Sequence, residues 1–126
     1  MNKDSAQLKN IVNTSMNRIK KQGRGCNIPG YGAAYRHNTL KDAISVLVQA
    51  DQVPKSLFTE ISSDPAASLV TAIKTKFTIA NRPLLVHVLQ QLQDAHDDAF
   101  DEFRNQNIAD PMNYFIGRCE QIKETL

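Results

Sequence analysis

The side chains best suited to catalysis in this sequence are four aspartates at helical spacing. They are Asp94, Asp97, Asp98 and Asp101. Residues three or four positions apart share one face of a helix, so these carboxylates can be presented together. Carboxylate oxygens are preferred ligands of Mg²⁺, and bound Mg²⁺ assists the hydrolysis of phosphate bonds. The cluster therefore predicts, as one alternative, a Mg²⁺-dependent all-α phosphohydrolase.

The rest of such a catalytic site is missing from the sequence. A single acidic row leaves the metal half coordinated, and no second cluster is available on another helix. His37, His87 and His96 do not have metal-ligand spacing, and we expect His96 to be solvated and His87 half-buried. No general base is specified for Cys26. We therefore interpret the aspartates as a solvated helix face and predict a non-enzymatic protein with no metal or cofactor.

A second group of side chains is suited to binding a polyanion. Basic residues and tyrosines alternate around a glycine-rich loop at 23–38. Lysine and arginine neutralise phosphates, tyrosines stack on unpaired bases, and glycines allow close approach of the backbone. The predicted nucleic-acid-binding residues are Arg18, Lys20, Lys21, Arg24, Tyr31, Tyr35, Arg36, Lys41, Lys74, Lys76 and Arg82. The alternative is that the cations satisfy carbonyls at a helix end and that the tyrosines pack in the core.

Charge is distributed unevenly along the chain, although the net charge is only +2. Residues 1–41 contain eight Lys or Arg and one acid, whereas residues 94–126 contain three and eight, respectively. A basic end suits a polyanion. Contact between the basic end of one copy and the acidic end of another predicts head-to-tail association.

Apolar spacing indicates the elements that must position these residues. Apolar residues recur every three or four positions, and no segment alternates with period two. The predicted helices are 5–21, 40–48, 65–80, 83–103 and 111–122, with a short helical turn near 57–61. Asp110 before Pro111, and Asn81 before Pro83, are typical helix starts. We predict an all-α bundle of five or six helices forming a single domain over 1–126.

Composition also predicts the cellular compartment. No apolar run approaches the ~20 residues of a membrane span, and the N-terminus lacks a secretory signal. Cys26 and Cys119 have no partner cysteine nearby, which excludes a zinc knuckle and a disulfide framework. We therefore expect a cytoplasmic protein with reduced cysteines and no membrane partner.

The aromatic, glycine-containing segment 113–118 lies in the last predicted helix, and an Asp-Pro-Ala-Ala turn lies at 64–67. With its size and helical architecture, the chain resembles the small subunit of CRISPR effector (Cascade-type) ribonucleoprotein complexes. Such subunits sit side by side along a guide-RNA filament, contact target or displaced strands through backbone charge, and perform no chemistry. The resemblance implies that other protein subunits are partners and that eight basic residues contact the nucleic-acid backbone: Arg18, Lys20, Lys21, Arg24, Arg36, Lys74, Lys76 and Arg82.

These observations favour a non-catalytic subunit that binds single-stranded DNA, RNA or a guide RNA–target duplex without sequence preference. A remaining alternative is a protein-only phage or plasmid adaptor, which would dock its amphipathic helices on a larger enzyme. An exposed apolar patch would favour the adaptor. A continuous stripe of cations would favour the nucleic-acid binder.

Overall fold

The computed structural model describes residues 4–49 and 65–126. Its elements, in chain order, are α1 (Ser5–Gln22), β1 (Asn27–Ile28), β2 (Gly32–Ala33), β3 (Arg36–His37), β4 (Leu40–Lys41), a 3₁₀ helix η1 (Ser45–Leu47), α2 (Ala67–Phe77), α3 (Arg82–Phe100) and α4 (Pro111–Glu124). The prediction of a mostly helical chain is confirmed. The prediction of five or six helices is not matched, since the described ranges contain four α-helices and two small antiparallel strand pairs.

Helix boundaries follow local signals in the sequence. Gly23 ends α1 in the left-handed conformation, with φ of 89°, and its N–H reaches the carbonyls of Ile19 and Lys20. Asn81 begins α3 by accepting the N–H of Leu84. The side chain of Asp110 caps α4 in the same way, and a proline follows each cap.

The predicted helix over 40–48 is wrong. Lys41 belongs to β4, where Gln22 Oε1 accepts its N–H at 3.0 Å. The Asp42 carboxylate then accepts the N–H groups of Ile44 and Ser45 at 3.0 and 2.8 Å, and its carbonyl accepts the N–H of Val46, so that a single turn and the short η1 stand in place of an α-helix. Residues 42–48 are all buried, so their apolar side chains do not form one helical stripe. The predicted turn near 57–61 lies outside the described residues.

Two other helices are shorter than predicted. The predicted helix over 65–80 begins only at Ala67 and ends at Phe77, where Thr78 is left-handed with φ of 56°. Helix α3 ends at Phe100, not at 103. The Asp101 side chain accepts the N–H of Phe103 at 2.8 Å and turns the chain away from the helix axis.

The glycine-rich loop at 23–38 contains regular structure that the sequence did not predict. Strand β1 pairs with β2, and β3 pairs with β4, each in antiparallel register. Gly30 and Gly32 have φ of 85° and 103°, which accounts for glycine in this turn. The N–H groups of Cys26 and Ala33 donate to His96 and Asp101, which holds the hairpin of β1 and β2 at the end of α3. The four α-helices and η1 share one apolar core.

None of the helices in the ranges 4–49 and 65–126 is both long enough and apolar enough to cross a membrane.

Candidate nucleic-acid interface

Three of the predicted cations meet at the end of η1, on the consecutive carbonyls of residues 46–48. Arg18 Nη1 donates to the first carbonyl at 2.7 Å. Lys76 Nζ donates to the second at 2.9 Å, and Lys41 Nζ donates to the third at 3.2 Å. We call these three side chains and their acceptors the carbonyl clamp. It gathers cations that are far apart in sequence, from α1, β4 and α2, and its contacts are of the kind that the alternative interpretation predicts, in which cations satisfy carbonyls at a helix end.

The clamp forms because a short 3₁₀ helix leaves its last carbonyls without helical donors. Residues 46–48 are buried, so these carbonyls need partners from the protein. A guanidinium carries five N–H donors and an ammonium three. In the hydrogen bonds described, Arg18 and Lys76 each give one donor to the clamp, so both keep donors for a further acceptor.

An open groove of about 420 Å³ borders the clamp. We call it the basic groove; it is lined by Arg18, Lys21, Gln22, Thr39, Lys41, Val46 and Val48. Gln22 fixes its two sides relative to each other. Its amide nitrogen donates to the Lys41 carbonyl at 2.9 Å, and its amide oxygen accepts the N–H of the same residue. The end of α1 is thereby joined to β4.

A second groove, of about 570 Å³, continues from the clamp along α2 and includes Lys76 in its lining. Arg82 Nη1 donates to Thr71 Oγ1 at 3.3 Å, and Thr71 lines the same groove. The cations thus extend from the basic groove through Lys76 to the start of α3. Lys74 is half-buried on α2, and no described contact brings it to the clamp.

The remaining predicted cations lie around the basic groove. Arg36 on β3 is the register partner of Lys41, and directly opposed residues of an antiparallel pair project to the same face. Lys20 and Arg24 are exposed beside the end of α1. Gln22 Nε2 also donates to the Arg24 carbonyl at 2.7 Å, which holds this backbone next to the groove.

Most cations of this basic surface have no carboxylate partner among the described residues. The described ion pairs involve His96, Arg104, Arg118 or Lys123. The predicted cations without such a pair are Arg18, Lys20, Lys21, Arg24, Lys74, Lys76 and Arg82. The acid of the basic end, Asp4, is buried and accepts the N–H groups of Ala80 and Asn81. Within 4–49 and 65–126, the charges of these seven cations are therefore not neutralised by carboxylates.

The two loop tyrosines separate. Tyr35 is 1% exposed and belongs to the core, where its hydroxyl accepts the N–H of Ala66 at 3.0 Å. A buried ring cannot stack on a base, so Tyr35 is removed from the predicted interface. Tyr31 is 69% exposed and remains a candidate.

The aspartates of the predicted metal cluster have separate partners. Asp94 accepts from Gln90, and Asp98 pairs with both Arg104 and Arg118. These arginines hold the pKa of Asp98 below its usual range despite its partial burial. No group of three or more metal-ligating side chains occurs in 4–49 or 65–126.

The other two aspartates are buried, which contradicts the solvated face expected for the whole cluster. Asp101 Oδ2 accepts the N–H of Ala33 at 2.8 Å, so it ties the hairpin of β1 and β2 to the end of α3. Asp97 accepts from His96 Nδ1 at 2.9 Å. These carboxylates stabilise the fold through backbone and side-chain donors.

His96 is buried and His87 is exposed, so both expectations for these residues were wrong. His96 Nε2 accepts the N–H of Cys26 at 2.9 Å and therefore carries no proton. The proton lies on Nδ1, which donates to Asp97. His96 is thus a neutral link between α3 and the glycine-rich loop.

Cys26 lies beside His96 but is not arranged as a nucleophile. Its thiol faces the Leu40 carbonyl at 3.7 Å, and the contact with the imidazole is made by its backbone instead. Burial, followed by the nearby charge of Asp42, raises the pKa of the Cys26 thiol to about 12. A thiol with such a pKa is protonated at neutral pH and is a poor nucleophile.

Comparison of the chain with protein-family models, curated proteins and solved structures gave no match. Its function must therefore be inferred from the charges and contacts of the chain itself.

Proposed function

We propose that the protein binds the sugar–phosphate backbone of nucleic acid, without sequence preference and without catalysis. The carbonyl clamp is the observation that carries this proposal. It brings Arg18, Lys41 and Lys76 to one place, and Arg18 and Lys76 form none of the described ion pairs. Phosphate oxygens are strong hydrogen-bond acceptors for arginine and lysine side chains that lie close together in this way.

The form of the basic surface favours an extended polyanion over a single small anion. The basic groove lies on one side of the clamp, and the groove along α2, with Arg82 beyond it, lies on the other. A nucleic-acid strand carries one negative charge every ~3.4 Å, so several phosphates can lie along such a row. The chain has no zinc or RNA-recognition signature, which agrees with recognition of the backbone alone.

We further propose that the protein acts as a subunit of a larger assembly, of the kind found in CRISPR effector ribonucleoprotein complexes. The resemblance of segment 113–118 and the unequal distribution of charge support this role. Head-to-tail contact of copies along a strand would leave the basic groove free for phosphates. Sedimentation with and without an oligonucleotide tests it: we expect several copies per strand, whereas one copy on strands of any length would contradict it.

The binding proposal is tested by fluorescence anisotropy with a labelled single-stranded oligonucleotide at increasing salt. We compare Lys21→Glu with Lys9→Glu, which makes the same charge change on the same helix about 18 Å away. Both side chains are exposed, so neither substitution disturbs the core. We expect Lys21→Glu to weaken binding about tenfold and to reduce the salt slope by about 1. Affinity that is independent of salt, or equal in both variants, would contradict the proposal.

A further inference from the structure

The structure leaves two large apolar side chains in solvent, Tyr31 at 69% and Phe103 at 60% exposed, among the residues it describes. They are far apart in sequence, one in the hairpin of β1 and β2 and the other after the end of α3. Neither makes a ring–ring contact in the described ranges. Exposed rings of this size contribute little to folding, so their placement points to a ligand.

Backbone contacts bring the two rings to the same end of the molecule. Gly30, which precedes Tyr31, donates its N–H to Glu102 Oε1 at 2.5 Å. Glu102 in turn precedes Phe103. The two segments that carry the rings are therefore in direct contact.

Further hydrogen bonds hold this arrangement in place. The Glu102 N–H donates to Asn27 Oδ1 at 3.0 Å, and Asp101 accepts from Ala33 on the other strand of the hairpin. A side chain at Gly32 would bring its Cβ to 2.7 Å from Asp101 Oδ2. The close approach thus depends on glycine. The backbone segments that carry the two rings are therefore held together by hydrogen bonds.

The same end of the molecule is connected to the basic groove by a short stretch of chain. Gln22 binds the carbonyls of Lys41 and Arg24, and the next residue, Gly25, packs directly on the Phe100 ring. Phe103 lies three residues beyond Phe100. Arg24, which is exposed, therefore belongs to the stretch of chain that joins the groove to the end of α3.

Two of the acids near the rings have cationic or backbone partners: Asp98 is paired with Arg104 and Arg118, and Asp101 accepts backbone N–H groups. The third, Glu102, is half-buried and accepts the N–H of Gly30. Pairing of Asp98 with the arginines reduces its repulsion of a nearby phosphate. An aromatic face next to a row of cations is the composition that binds single strands, because every unpaired base offers a face for stacking.

We propose that Tyr31 and Phe103 form a stacking platform for unpaired bases of a strand whose phosphates lie on the basic groove. The proposal rests on the proposed function and deepens it, since it assigns single-stranded nucleic acid as the ligand. In a duplex both faces of each base are covered by neighbours, so the platform gains nothing from it. Loss of stacking of one base on an aromatic side chain lowers affinity about 5–150-fold.

The experiment compares binding of an oligothymidylate and of a duplex of equal length to the full chain and to the double variant Tyr31→Ala/Phe103→Ala. We expect the double variant to lose tenfold or more in affinity for the single strand. Its affinity for the duplex and its salt slope should stay unchanged, because no phosphate contact is removed. His87→Ala is the matched control, since it removes an exposed ring that lies on α3 and not at the platform.

A second variant supplies a direct signal. The chain has no tryptophan, so Phe103→Trp introduces a single one while keeping a large ring at the platform. We expect its fluorescence to be quenched by the oligothymidylate and its affinity to match or exceed that of the original chain.

The outcomes separate the two proposals. Unchanged single-strand affinity in the double variant, with loss in Lys21→Glu, would overturn the platform and leave backbone binding intact. No binding of either oligonucleotide at low salt would overturn backbone binding and the platform together. Loss of self-association in the double variant, with unchanged oligonucleotide affinity, would assign the rings to a protein contact and overturn the platform.

Discussion

The basic surface around η1 and the acidic end of α3 use their charges in different ways. At the basic surface, Arg18 and Lys76 donate to backbone carbonyls and form none of the described ion pairs. At the acidic end, Asp98 is neutralised by two arginines, and Asp101 accepts one buried and one partly buried N–H group. Charged groups that pair with one another inside the protein stabilise its structure. Cations that are held only by backbone carbonyls remain available to a ligand.

This difference cannot be seen in the sequence, where both regions are runs of like charge. The four aspartates have the spacing of metal ligands, but the fold distributes them among arginines, a histidine and the glycine-rich loop. The comparison predicts that substitutions at the acidic end reduce stability and that substitutions at the basic surface reduce binding.

The largest effect is expected for Asp101→Ala, which removes the acceptor of two N–H groups, those of Ala33 and Phe103. An unsatisfied buried donor costs about 1–3 kcal/mol, so the variant should be destabilised by about 2–4 kcal/mol. Urea unfolding measures this loss. Asp94→Ala is the control, because Asp94 is half-buried and accepts from the Gln90 side chain. Equal stability of the two variants would contradict a structural role for the acidic end.

A smaller loss is expected for Gly25→Ala. A Cβ at this position would overlap the Phe100 ring, so the loop must move away from α3. Overpacking of this kind costs about 1–3 kcal/mol. Thermal unfolding followed by circular dichroism measures it, with Gly117→Ala as the control, since a Cβ there meets no atom within 4 Å. A melting temperature equal to that of the control would show that this contact does not hold the loop.

Titration of Asp42 should change the free energy of unfolding by about 1 kcal/mol between pH 5 and pH 7. Burial raises its pKa from 3.8 to about 6, so between these values the folded chain binds a proton that the unfolded chain releases. Stability from this group is therefore present at low pH and is lost as the pH rises through about 6. The stability difference between the original chain and Asp42→Asn should change by about 1 kcal/mol between pH 7 and pH 5, in favour of the original chain at pH 5. A pH-independent difference would contradict the raised pKa.

The smallest loss of stability, no more than about 1 kcal/mol, is expected for Arg18→Met, which removes one donor of the clamp but keeps an apolar stem. Its affinity for a single strand should nevertheless fall about tenfold. Chemical unfolding and anisotropy on the same sample measure both quantities. A variant that unfolds readily but binds normally would reverse the comparison between the two regions.

Sequence spacing predicted the helices well where a cap and an apolar stripe coincide, as at Asn81 and Asp110. It failed over 40–48 because residues 42–48 are all buried and their local pattern does not distinguish a helix from a packed turn. The two-residue strands depend on contacts between distant segments, such as Ala33 with Asp101. No local signal specifies them.

The candidate site could be predicted only in part, because it too depends on contacts between distant segments. The cations were identified from residue type alone, but the clamp depends on the carbonyls of a segment that was assigned to a helix. The burial of Tyr35 and His96 is set by tertiary packing, which a single sequence does not reveal. Phe103 lies at the end of the helix predicted over 83–103, whereas α3 ends at Phe100. The exposed ring follows from the turn at Asp101.

The carbonyl clamp also affects the rate at which the basic surface would bind a ligand. Long cationic side chains lose up to ~2 kcal/mol of rotamer entropy when they are immobilised. For Arg18 and Lys76 this loss occurs during folding, so a strand arriving at the clamp finds its partners already in position. Association should then be governed by diffusion and electrostatic steering, with no slow rearrangement step.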